Sequence, residues 1–187
     1  MTVIRVVPRR FEDARGWFSE TWHRDRFRAA GIDAEWVQDN HAFSRAPFTL
    51  RGIHFQAPPH AQAKLVRCVA GRVWDAAVDL RNGSPTYGRW VAAELSAAGG
   101  EQLFLPPGFG HGYLTLEPDS ALAYKVSAFH TPDAESGLAW DDPALAIAWP
   151  LGGAQPILSD KDRDLPRLSS LASPFGYDGR PLALIDA

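Results

Sequence analysis

Between Val37 and Ala128 the chain never holds one pattern for long. Short runs that alternate apolar and polar residues stop repeatedly at Gly, Pro, Asn or Asp. Period 2 over so few residues predicts strands, and residues 64–69, 73–80, 89–95, 101–105 and 113–116 read this way. Asn82-Gly83-Ser84-Pro85 reads as a turn. Helical signals are scarce: residues 22–30, closed by Gly31, and residues 159–164 predict two short helices. Many short strands at close spacing imply an all-β sandwich or barrel with a few short peripheral helices, and a jelly roll is the expected form. No internal repeat or linker divides residues 1–187, so one domain is expected.

Bulk properties narrow the partners. With 187 residues and 45% hydrophobic content, a chain of this size buries roughly 70% of its unfolded surface. A net charge of −3 without long blocks of one sign argues against nucleic acid. Cys68 stands alone, which suits a reducing compartment. The start has no apolar signal region and no segment approaches a membrane span, so a cytoplasmic protein is expected.

Leu50-Arg51-Gly52-Ile53-His54-Phe55-Gln56, followed by Gln62-Ala63-Lys64, gathers a guanidinium, an imidazole and an ammonium. The two predicted strands that hold them are joined by a Pro-rich loop at 57–59. An imidazole between fixed cations can take a proton while its neighbours stabilise the negative charge left behind. That equipment suits proton removal next to a carbonyl. Period 2 then places Gly52, His54 and Gln56 on one face, and His111, Tyr113 and Thr115 on another. Val73, Asp75, Ala77 and Asp79 share a face, as do Tyr124, Val126, Ala128 and His130 if that segment stays extended. The more polar faces are expected to line a barrel with a ligand-binding mouth.

Taken singly, these residues have plainer readings. His54 reads equally as a satisfied core histidine, Tyr124 as a core aromatic and Lys64 as a solvated edge charge. Asp162 reads as part of a charged helix surface or cap, and Arg15-Gly16 as a turn. Their combination is more specific. Asp13-Ala14-Arg15-Gly16-Trp17-Phe18, Arg51-Gly52-Ile53-His54-Phe55-Gln56 and Gln62-Ala63-Lys64-Leu65-Val66-Arg67 occur in that order. Val78-Asp79-Leu80-Arg81 with Gly83-Ser84-Pro85-Thr86, then Pro106-Pro107-Gly108-Phe109-Gly110-His111-Gly112, follow. Trp140-Asp141-Asp142-Pro143 and Leu158-Ser159-Asp160-Lys161-Asp162 complete the series. From about residue 3 to 166 the chain closely resembles the dTDP-4-dehydrorhamnose 3,5-epimerase family of nucleotide-sugar epimerases.

The resemblance implies a cupin-type jelly roll that acts as a homodimer, with neither metal nor other cofactor. Its substrate would be a dTDP-4-dehydro-6-deoxy-hexose, whose carbon-4 ketone acidifies the hydrogens on carbons 3 and 5. By similarity His54 is the base and Asp162 holds its imidazole. Lys64, with Arg51 and His111, would stabilise the enolate oxygen, and Tyr124 would return a proton from the opposite face. Arg15, Glu20, Gln38, Asn40, Arg51, Lys64, His111, Glu135 and Lys161 match substrate-binding positions. Phe18 matches an aromatic contributed by the neighbouring subunit. Six residues beyond Tyr124 the family carries a tyrosine that stacks on the thymine, and this chain has His130. Imidazole offers a smaller face and a variable charge, so this position bears on nucleotide preference and on how many carbons are inverted.

Four other readings lack their signatures. A metal-dependent cupin would place His-x-His on one strand, and neither His54-Phe55-Gln56 nor His111-Gly112-Tyr113 does. Gly108-Phe109-Gly110-His111-Gly112 is not a dinucleotide fingerprint, and no Gly-x-Ser-x-Gly elbow marks a hydrolase. A non-catalytic sugar-binding cupin would not need a base, an opposed acid and an orienting carboxylate together. A single-carbon epimerase of an antibiotic deoxysugar stays open as the alternative within the family.

Overall fold

The computed structural model describes residues 2–187. Its strands are β1 (Val3–Val6), β2 (Arg10–Asp13), β3 (Gly16–Ser19), β4 (Gln38–Ser44), β5 (Leu50–Gln56), β6 (Lys64–Ala70), β7 (Arg72–Asp79), β8 (Arg81–Asn82), β9 (Trp90–Ser96), β10 (Gln102–Leu105), β11 (Phe109–Thr115), β12 (Ser120–Val126), β13 (Glu135–Gly137), β14 (Phe175–Gly176) and β15 (Leu184–Asp186). The helices are α1 (Arg24–Ala29) and α2 (Asp160–Arg163). Both helices fall where the sequence predicts them. Among the described residues no helix is long and apolar enough to cross a membrane.

Two large sheets carry the architecture, in the orders β15-β1-β10-β6-β12-β4 and β13-β5-β11-β7-β9. Val66, Cys68, Leu103, Leu105 and Leu122 of the first sheet meet Val73, Ala77, Leu95, Phe109 and Tyr113 of the second in a shared core. This is the jelly-roll sandwich expected from the strand pattern. Period 2 puts the other side of β7, with Ala76 and Val78, against a second core, which Leu80 just beyond the strand also joins. The chain from Leu138 to Phe175 supplies Leu138, Leu145, Trp149 and Phe175 to that core, covering the outer face of the second sheet. On the outside of the first sheet, α1 buries Phe27 against Ile4, Leu65 and Phe104.

Local reading fails in three places, each for a tertiary reason. The strand predicted at 113–116 begins at Phe109; its glycines masked it. A Cβ at Gly110 would run into the Ile53 side chain, so close packing of β11 on β5 requires the glycine there. The predicted face of β5 is also corrected. His54 pairs with His111 and Arg51 with Tyr113, three steps on β5 against two on β11. That is a bulge, and Gly52 occupies it with φ of 104°. A Cβ on Gly52 would meet the backbone of His111 and Gly112. Arg51, not Gly52, therefore joins His54 at the cavity. Finally, β12 ends at Val126, so strand parity does not extend from Tyr124 to His130.

Candidate active site

Arg51, His54 and Lys64 are close in sequence, yet β5 and β6 belong to opposite sheets. The Pro-rich loop crosses between the sheets, and the three side chains converge from two sides. Two adjoining cavities, of about 320 and 270 Å³, share His54, Lys64 and Tyr124. Gln38, Asn40, His130 and Glu135 also line the first; Arg51, His111, Lys161 and Asp162 line the second.

His54 and Asp162 form the tightest pair. Nε2 of His54 lies 2.6 Å from Oδ1 of Asp162, whose side chain is 5% exposed. The contact is a close polar approach of the imidazole to the carboxylate, which fixes the ring with Nε2 toward Asp162. Asp162 sits in the single turn of α2 because Ser159 caps it: Ser159 Oγ accepts from the Asp162 N–H at 3.1 Å and donates to Oδ2 at 2.8 Å. Burial pushes the Asp162 carboxyl up, but His54 and Ser159 outweigh it and hold the pKa below the ordinary value.

Lys64 faces these groups from the other sheet. Burial lowers its ammonium to about 8, against the pull of Asp75 and Glu135. The Tyr124 phenol is raised by burial, with Arg51 opposing the rise. His111 holds Asp75 through Nε2, at 3.0 and 2.9 Å from the two carboxylate oxygens. Asp75 is fully buried, and Tyr113 stands between Asp75 and Arg51 in the strand register. The sequence gives no role to Asp75 or Tyr113; the shared polar faces of β7 and β11 were the available signal. Among the described residues no three His, Cys, Asp or Glu side chains group as metal ligands.

The rim is polar and charged. Glu135 Oε2 accepts from Lys161 Nζ at 2.6 Å and lies 3.2 Å from His130 Nε2. Burial raises the Glu135 carboxyl, but the bonds to Lys161 and His130 bring it below its usual value. Gln38 donates to Asn40 Oδ1 at 2.7 Å and accepts from the His130 N–H at 3.0 Å. Gln56 fixes the same loop, donating to the carbonyls of His60 and Phe129 and accepting from the Thr131 N–H at 2.9 Å. His130 thus reaches the cavity on a loop held by side chains.

Three predicted site residues lie elsewhere. Arg15, at the β2–β3 turn, is paired with Asp13 at 2.6 Å. Phe18 on β3 is 70% exposed, and Glu20 pairs with Arg26 at 3.0 Å. None of the three lines either cavity.

Known proteins of similar sequence and fold identify the family. The sequence profile described as dTDP-4-dehydrorhamnose 3,5-epimerase matches residues 1–170. A dTDP-4-dehydrorhamnose 3,5-epimerase of Sinorhizobium fredii (strain NBRC 101917 / NGR234) is 49% identical over 172 residues, covering 92% of this chain and 88% of the relative. A crystal structure of a dTDP-6-deoxy-D-glucose-3,5-epimerase from Legionella pneumophila Philadelphia 1, in complex with dTDP-4-keto-L-rhamnose, aligns with a TM-score of 0.86. It is 39% identical, and the match covers 91% of each chain. A 3'-monoepimerase from Streptomyces bikiniensis in complex with dTDP-quinovose aligns with a TM-score of 0.83 at 38% identity, covering 89% of this chain and 84% of that one. The sandwich, the convergent His, Lys and Tyr side chains and these relatives lead to one conclusion: the chain belongs to the dTDP-4-dehydrorhamnose 3,5-epimerase family.

Proposed function

We propose that this isomerase inverts carbons 3 and 5 of a dTDP-4-dehydro-6-deoxy-hexose without a cofactor. One observation carries the reading: His54, tied to Asp162, and Tyr124 come from opposite sheets to one cavity that also holds Lys64. His54 takes the proton from the carbon beside the ketone, and the electron pair moves onto the carbon-4 oxygen as an enolate. In this rotamer Nε2 faces Asp162, so Nδ1 is the accepting nitrogen. Asp162 stabilises the imidazolium that results. Lys64, Arg51 and His111 stabilise the enolate oxygen, where the charge develops. Tyr124 then gives its phenolic proton to the opposite face of the carbon, and the ketone re-forms. Gln38, Asn40, Glu135, Lys161 and His130 are assigned to the nucleotide and sugar. Proton NMR in heavy water with dTDP-4-dehydro-6-deoxy-glucose tests this directly. Deuterium should enter carbons 3 and 5 with inversion at both; exchange at one carbon only would make the chain a single-centre epimerase.

A pH profile follows from Lys64. The ammonium form stabilises the enolate, so kcat/KM should fall as pH rises through about 8. A profile flat between about pH 7 and 10 would remove Lys64 from this role. The effect on stability has the opposite sign. Between about 8 and 10.5 the unfolded chain binds more protons than the folded one, so this group's contribution to stability rises with pH.

His130→Tyr should tighten binding of a dTDP-sugar, because a phenol ring offers a larger stacking face than imidazole. Unchanged or weaker affinity by calorimetry would sink the stacking account. We also assign a homodimer. Phe11 and Phe18, cross-strand partners in the β2–β3 hairpin, are 49% and 70% exposed, an apolar pair that a second subunit would cover. The expected result in sedimentation is a dimer in which Phe18 reaches the partner's site; a fully active monomer would contradict it.

A further inference from the structure

Tyr113, a second phenol of the same cavity, has no task in that mechanism. It is 5% exposed, and its Oη is buried without a hydrogen-bond partner. The Ser44 hydroxyl lies near it but makes no bond of good geometry. An unpaired buried hydroxyl is costly to a fold, and phenylalanine would pack the same ring without that cost. Tyr113 is part of the core cluster against which Tyr124 packs, and both line the cavity that holds His54 and Lys64. Arg51, its cross-strand neighbour, already donates to the Phe43 carbonyl at 3.0 Å and to Ser44 Oγ at 3.4 Å. The O–H of Tyr113 is thus a buried donor at the cavity wall without a hydrogen bond of good geometry, and an acceptor formed during the reaction would engage it. Tyr124 supplies one, because it becomes a phenolate on giving up its proton.

We propose that Tyr113 is a positioning residue for Tyr124, its O–H donating a hydrogen bond to the phenolate oxygen left after Tyr124 protonates the sugar carbon. The inference rests on Tyr124 being the acid. Tyr113 neither gains nor loses a proton, and Tyr124 is reprotonated from solvent. Burial pushes Tyr113 up to about 12, and a charge on Tyr124 pushes it the same way. Of the two phenols, Tyr124 therefore ionises and Tyr113 remains the donor.

Tyr113→Phe tests this by two routes. Carbon-13 NMR of protein labelled at tyrosine Cζ, assigned with single Tyr→Phe variants, follows the ionisation of Tyr124 without turnover. Loss of the donor should raise the Tyr124 pKa by about one unit or more; an unchanged or lower value overturns the proposal. During turnover in heavy water, epimerisation should fall about tenfold or more while wash-in through His54 stays within about twofold. Equal loss in both, or loss in neither, overturns it. If the unaltered chain catalyses no exchange, the assigned activity fails, and the Tyr124 titration still decides Tyr113. The variant's Tm should not fall, since the resting fold loses no bond. A lower Tm with an unmoved titration would make the hydroxyl structural. Should Tyr113→Phe not fold, 3-fluorotyrosine at position 113 is a stronger donor in the same ring. It should lower the Tyr124 pKa, and no change would overturn the proposal.

Discussion

His54→Ala is expected to abolish deuterium wash-in at carbons 3 and 5 together, a loss of about 10³-fold or more. The size follows from the arrangement. His54 is the imidazole that faces Lys64 and Tyr124 across the cavity with a carboxylate 2.6 Å from one ring nitrogen. The other histidines of the two cavities are already engaged, His111 by the buried Asp75 at 2.9 Å and His130 by Glu135 at 3.2 Å. Nucleotide affinity should stay within about threefold, because the groups assigned to dTDP remain. Removing His54 also leaves Asp162 buried without its partner, and breaking a buried pair costs about 3–5 kcal/mol. Ser159 still serves the carboxylate, so the cost should fall below that range and show as a lower Tm. Heavy-water NMR and thermal unfolding check both halves. Retention of most wash-in would identify another base.

Tyr124→Phe is expected to separate exchange from inversion. Proton removal by His54 and enolate stabilisation by Lys64 do not need the phenol, so wash-in on the His54 face should persist within about tenfold. Product formation should fall roughly 10²- to 10⁴-fold, the usual range for a lost general acid. The ring packs against the shared core, and phenylalanine preserves that packing, so Tm should change little. Simultaneous NMR readings of isotope content and ring configuration measure the split. Parallel loss of both would mean that Tyr124 acts on the first proton transfer, and its assignment would have to be reversed.

Much of the fold was legible because its signals are local. Alternation and turn residues located β6, β7, β9 and β10, and Ser159 marked the start of α2. The glycine-rich opening of β11 was hidden, since its glycines answer to contacts with Ile53 and the β5 backbone. The face of β5 was misread for a related reason: one extra residue at Gly52 shifts the register, and alternation cannot register a bulge. Of the site, the titratable groups were visible as a motif. Asp75 and Tyr113 were visible only as members of polar faces, because their meaning depends on His111 and Tyr124.

By itself the sequence determined a strand-rich sandwich and the chemical kinds present: an imidazole, an ammonium, a guanidinium, a phenol and a carboxylate in a family-specific order. Periodicity acts between near neighbours, and residue type carries its own acid–base chemistry. Only the tertiary structure decided that β5 and β6 lie in opposite sheets, so that His54 and Lys64 line one cavity. It also decided that Asp162, far along the chain, closes on His54, and that the Tyr113 hydroxyl stays unpaired. Sheet assignment, register and desolvation arise from contacts between residues distant in sequence, and no local pattern encodes them.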